Sequence, residues 1–200
     1  MEHVQLTTTD GHHLDADLAA AESDPLDAVV ICHPHPLRGG NRFNVVVEAM
    51  FAAFPANRFH ALRFDFRAEH GDGVAERLDV VAALEDLANR YPGVPLHSAG
   101  YSFGAVVSLS VDDGRITSKV AVAPPLSHML VDPPHQPTLL LVAEHDQFCP
   151  PSAVEPIIAA WPDATMEIIA SADHFLAGRS TAAAAMAAAW LRGQPPQSPL

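Results

Sequence analysis

Positive charge is scarce in this chain: 11 Lys and Arg stand against 24 Asp and Glu over 200 residues, a formal net charge of −13. Such a surface repels phosphate backbones and anionic lipid headgroups, so neither nucleic acid nor a membrane is expected as a partner. Cysteine is scarcer still. Cys32 and Cys149 are too few for a disulfide framework and lack metal-site spacing, so reduced thiols and no metal are expected. No apolar run approaches the ~18 residues that cross a bilayer. The opening MEHVQLTTTDGHH has no basic segment followed by an apolar one, and a cytoplasmic protein is the expectation.

Repeats and interdomain linkers are also missing. With 48% apolar and 18% charged residues, the chain has the balance of a globular protein with a real core. Its length suits one domain, expected over 1–192, followed by a Pro-rich mobile tail over 193–200. The sequence leaves open whether Trp190 and the alanine-rich final helix pack within one subunit or against a second copy in a homodimer.

What is present is an alternation. HVQLTTT and HLDADLA flank DGH, the pattern of an antiparallel hairpin. AVVICH (28–33) is a continuous, β-branched apolar run, as in a strand buried on both faces, and FNVVVEAMFAAF after it has helical character. FHALRFDF then reads as a strand and VAERLDVVAALEDLANRY as a helix. Val74, Leu78, Val81, Leu84 and Leu87 form the helix's expected apolar stripe, with Glu76, Asp79 and Glu85 facing away. Further pairs follow: PLHSAGYS with FGAVVSLSV, SKVAVAPP, TLLLVAEHD with SAVEPIIAAW, and TMEIIAS with AGRSTAAAAMAAAWLRG. Strands alternating with helices predict an α/β fold, a mostly parallel twisted sheet with helices on both faces.

Gly100-Tyr101-Ser102-Phe103-Gly104 is a complete G-x-S-x-G between a strand-like and a helix-like run, the setting of a nucleophile elbow. Alone the pattern is weak, because strand-to-helix turns use Gly and Ser for steric reasons. A serine hydroxyl also needs an oriented base to act at neutral pH. Asp146 follows the strand TLLLVAEH and His174 follows MEIIASAD, so Ser102, Asp146 and His174 each stand at the carboxyl end of a separate parallel strand. That order of nucleophile, acid and base is the one an α/β-hydrolase sheet requires.

CHPHPLRGGNRFNVVV, LRFDFR, AGYSFGA, VAPPLS, VAEHDQFCPP and ADHFLAGR together resemble the small, cap-less bacterial α/β-hydrolases related to dienelactone hydrolase, in matching order from about Val29 to Gly178. The resemblance implies an α/β-hydrolase fold, with Ser102 as nucleophile, Asp146 as acid and His174 as base; a cycle of attack by serine with histidine as base requires no cofactor. Two departures stand out. Arg67 is followed by AEHGDG where family members usually carry FRGxGxS, and the elbow holds serine where dienelactone hydrolase itself has cysteine.

Acyl transfer needs two N–H donors for the oxyanion. Phe103, just after the nucleophile, is one. In the loop His33-Pro34-His35-Pro36-Leu37 the prolines have no N–H to give, which leaves His35 as first choice and Leu37 as second. Asp65 and Arg67 are expected to form a charge pair fixing the adjoining loop, with Glu69, His70 and Asp72 close enough in sequence to border the pocket. Only LSHMLVDPPHQP separates two late strands, too little for a lid, so an open pocket for small soluble esters or lactones is expected. Serine carboxylesterase chemistry leads. Acyl transfer or perhydrolysis on the same triad, and a non-catalytic binding protein of the same fold, are the alternatives.

Overall fold

A computed structural model describes residues 1–69 and 71–193. His70 and the Pro-rich tail beyond Gly193 lie outside the described residues. One eight-stranded sheet has the order β1-β2-β4-β3-β5-β6-β7-β8. Its strands are β1 (Glu2–Thr7), β2 (His13–Ala19), β3 (Asp27–Cys32), β4 (Phe59–Phe64), β5 (Leu96–Tyr101), β6 (Ile116–Val122), β7 (Thr138–Ala143) and β8 (Ala164–Ile169). The hairpin β1/β2 is antiparallel and joins β4 antiparallel, while β3 to β8 run parallel. All the later strands therefore deliver their carboxyl ends to one rim.

The apolar runs without alternation are strands buried on both faces. Along β3, Val29 and Ile31 enter one core while Ala28, Val30 and Cys32 enter the other. Along β7, Leu139, Leu141 and Ala143 are likewise divided from Leu140 and Val142. Helices α1 (Val45–Ala56) and α5 (Ser180–Arg192) cover the first face, and α2 (Glu76–Arg90), α3 (Phe103–Ser110) and α4 (Pro151–Ile158) cover the second. The small residues Ala183, Ala184, Ala187 and Ala188 let α5 lie close on α1, and Trp190 packs against the same cluster, so this helix is used within its own subunit. Both cysteines are buried free thiols in separate clusters. No lid domain is inserted: residues 123–137, between β6 and β7, contain no helix.

Two expectations fail in instructive ways. The apolar stripe of α2 is rotated at its start: Val74 and Leu78 are exposed, whereas Glu76 and Asp79 are fully buried. Glu76 accepts the N–H groups of Gly71 and Gly73, both at 3.0 Å, and so ties down the loop that leads into its own helix. Asp79 accepts from the Arg67 backbone N–H (3.0 Å) and from Arg67 Nε (2.9 Å) and Nη2 (2.7 Å). Hence Arg67 does not pair with Asp65. β4 ends at Phe64, and the chain turns away from strand alternation. Asp65 accepts from the Arg42 N–H (2.7 Å) and guanidinium, while Arg67 reaches across to Asp79 and to Asp10 on the β1/β2 turn.

Candidate active site

At the rim, β5 hands the chain to α3 through Ser102, whose φ of 54° and ψ of −119° are a strained combination for a residue with a side chain. Three close approaches enforce it. The Ser102 N–H donates to Val122 O at 2.9 Å. A Cβ on Gly100 would lie 2.3 Å from Gly104 O, and one on Gly104 would lie 2.4 Å from His33 O, so both glycines are required by backbone packed on backbone. A serine at a helix start ordinarily caps that helix, but Ser102 makes no side-chain cap. Its Oγ instead stands 3.0 Å from His174 Nε2.

The imidazole is held from behind. His174 Nδ1 donates to Asp146 Oδ2 at 2.8 Å, and Asp146 Oδ1 accepts the N–H groups of Phe148 (2.8 Å) and Cys149 (3.0 Å). Burial alone would push the Asp146 carboxyl up. The hydrogen bond from His174 and the Cys149 and Phe148 amides outweigh it and hold the group below its ordinary range, so Asp146 is ionised at neutral pH. Glu144 N donates to Ile169 O (3.1 Å) and His145 N to Ala172 O (2.8 Å), which locks the loops after β7 and β8 together.

Sequence reasoning missed two supports. Gln147 Oε1 accepts the His174 N–H at 3.2 Å. Tyr101, one residue before Ser102 and buried, donates its hydroxyl to the His174 carbonyl at 2.9 Å. Burial first, and then the Asp146 and Asp173 charges, push the Tyr101 phenol up, so it stays a donor. Strand parity is the one signal that could have found it, since Tyr101 faces the same core as the loop carrying His174. Tyr101→Phe orphans that buried carbonyl. We expect a loss of ~1–2 kcal/mol in urea melts and a several-fold fall in kcat on a short ester with KM little changed, because the imidazole loses its backstop while the pocket wall remains. Equal kinetics in the two proteins would remove the positioning role.

The loop after β3 is organised around two histidines. The Phe66 N–H donates to His33 Nε2 (2.9 Å), so the ring proton sits on Nδ1, which donates to Pro34 O (2.6 Å). Leu37 N donates to His35 Nδ1 (3.2 Å), and the His35 carbonyl accepts from Arg38 N (3.0 Å) and Gly40 N (3.1 Å), closing the short 3-10 turn Pro36–Arg38. Of the two loop donors expected from sequence, His35 lines the cavity at Ser102, whereas the Leu37 amide is spent inside the turn. Phe103 opens α3, where first-turn N–H groups have no intrahelical acceptor; those of Ala105 and Val106 return to Ser102 O.

The cavity itself measures about 430 Å³. Tyr101, Phe103, Pro125, Met129, Phe148 and Phe175 make its walls predominantly apolar, and Arg38 is its one charged lining residue among those described. Phe148 stands edge-on to the His174 ring at 4.7 Å between centroids. Of the acidic-loop residues expected to border the site, Asp72 lines an adjoining cavity and Glu69 is exposed beside His12.

No protein-family model matches the chain. An uncharacterized protein of Rickettsia prowazekii is 31% identical over 123 residues, which is 57% of this chain and 52% of that protein, so the match spans about half the relative's length. Among solved structures, an α/β serine hydrolase homologue from Coxiella burnetii superposes with a TM-score of 0.87 at 25% identity, covering 95% of this chain and 97% of that one. A lidless α/β serine hydrolase from Xanthomonas campestris gives 0.88 at 24% identity over 99% and 96% of the two chains. An esterase from Pyrococcus furiosus gives 0.79 at 18% identity over 96% and 91%. The fold is that of an α/β-hydrolase without a lid.

Proposed function

We propose that this protein is a serine hydrolase that cleaves small carboxylic esters or lactones through an acyl-enzyme on Ser102. One observation carries the reading: the Ser102 hydroxyl, on a strained turn and withheld from its helix, bonds at 3.0 Å to an imidazole whose far nitrogen is held by a buried carboxylate. The likeness to serine hydrolases and to an esterase supports the same reaction class.

Each group has a step. Ser102 Oγ attacks the ester carbonyl as its proton passes to His174 Nε2, and Asp146 stabilises the imidazolium. The Phe103 and His35 N–H groups receive the oxyanion. His174 returns the proton to the departing alkoxide, leaving an acyl-Ser102. A water then gives its proton to the same nitrogen, its oxygen attacks the acyl carbon, and Ser102 leaves reprotonated. The cycle needs only ester and water. An open, lidless pocket also admits acceptors other than water, so acyl transfer to an alcohol or peroxide is the second reading, discriminated by product analysis with competing alcohol.

A fluorophosphonate probe should add its phosphonyl mass to the peptide containing Ser102, and p-nitrophenyl acetate or butanoate should be turned over. A protein that resists the probe and hydrolyses neither ester is the binding protein of the third alternative.

A further inference from the structure

A second cavity, also about 430 Å³, lies beside the first between the start of α2 and the outer side of α3. His35, Phe103, His128 and Met129 line both. Three of these cannot serve as a removable partition. His35 and Phe103 are fixed in the loop and elbow, and the exposed His128 turns its ring to Ser127 Oγ at 3.0 Å. Met129 remains. Its backbone N–H is held by Pro125 O at 3.1 Å, and its methyl reaches the far wall: a Cβ placed on Gly73 would sit 3.2 Å from Met129 Cε. Gly73 cannot retreat, because its N–H is bonded to the buried Glu76 carboxylate. The thioether therefore bridges from one chamber's wall to the other's.

We propose that Met129 determines the acyl-length limit of this site, closing off a second chamber that would otherwise receive an aliphatic chain of medium length. The inference rests on the ester reading above. The chamber's buried apolar lining comes from Phe103 and Val106, with the exposed Val74 and Leu130 at its rim and Asp72, Arg77 and Ser110 among its polar lining. Methionine suits the role of partition, being unbranched and filling a gap that a shorter side chain leaves open.

The test is the ratio of kcat/KM for p-nitrophenyl octanoate to that for p-nitrophenyl butanoate. Each newly buried methylene is worth about fourfold, so Met129→Ala should raise the ratio at least tenfold. Met129→Val should move it less in the same direction, which keeps the test alive if the alanine variant folds poorly. Met129→Leu should hold it near the starting value. Val74 is largely exposed on the chamber's rim; Met129→Ala with Val74→Trp should refill the space and return the ratio. An unchanged ratio in truncated variants that still hydrolyse butanoate overturns the partition, as does a rise that Val74→Trp leaves intact. If the unsubstituted protein hydrolyses no butanoate, the ester reading falls, and this inference with it.

Discussion

Ser102→Ala should lower turnover of a short p-nitrophenyl ester by ~10⁴-fold or more while leaving the melting temperature within a few degrees. On the proposed cycle the substitution removes the attacking oxygen, and with it one partly exposed hydrogen bond to His174. It spares the backbone, because alanine meets at φ 54° the same strain that serine already carries there, and the close contacts of Gly100 and Gly104 are untouched. His174→Ala should fall by a similar factor, and the double variant no further, since nucleophile and base act as one unit. Additive losses would mean that the two residues serve separate steps. Turnover surviving in Ser102→Ala would mean that another group attacks the ester.

The legible part of this molecule is the part governed by strand periodicity. Ser102, Asp146 and His174 could be placed because each follows a strand-like run in a chain where strands alternate with helices, and parallel strands end at a common rim. The 3.0 and 2.8 Å contacts follow from that topology. The first turn of α2 was illegible for a corresponding reason. Carboxylates are buried only when other groups bond them, and the partners of Glu76 and Asp79 come from the loop before the helix and from the segment just after β4. Helical spacing carries no information about those partners, so an acidic inner face looks like a solvated one. Loop position alone makes Leu37 a candidate oxyanion donor; that its amide folds back onto the His35 ring depends on a side-chain rotamer. Tyr101 and Met129 escaped notice because apolar residues next to a motif look like core until a cavity gives them a side to face.

Arg67→Met should be strongly destabilising although it lies away from the reacting groups. Asp79 is fully buried, with Arg67 as its only cationic partner among the described residues, and Arg67 is itself 5% exposed. Burial raises the Asp79 carboxyl even with the guanidinium opposite. Taking that guanidinium away leaves a buried anion with one backbone N–H, and a loss of ~3–5 kcal/mol is expected at neutral pH, a large share of the ~5–15 kcal/mol that holds a domain together. The sign of the pH dependence follows. A carboxyl whose folded pKa lies above its unfolded value binds more protons in the native state, so its penalty is fully present above the folded pKa and fades as pH falls toward the unfolded one. Urea midpoints of the variant should therefore approach those of the parent protein at pH 5 and diverge at pH 8, with an unchanged m-value. Arg67→Met with Asp79→Leu, which removes both charges, should recover most of the loss. Catalysis should suffer alongside stability, because Phe66, next to Arg67, donates its N–H to His33 and so fixes the loop that carries His35. A single variant within about 1 kcal/mol of the parent, or one that weakens further at pH 5, would show that Arg67 is not the counterion that lets Asp79 be buried.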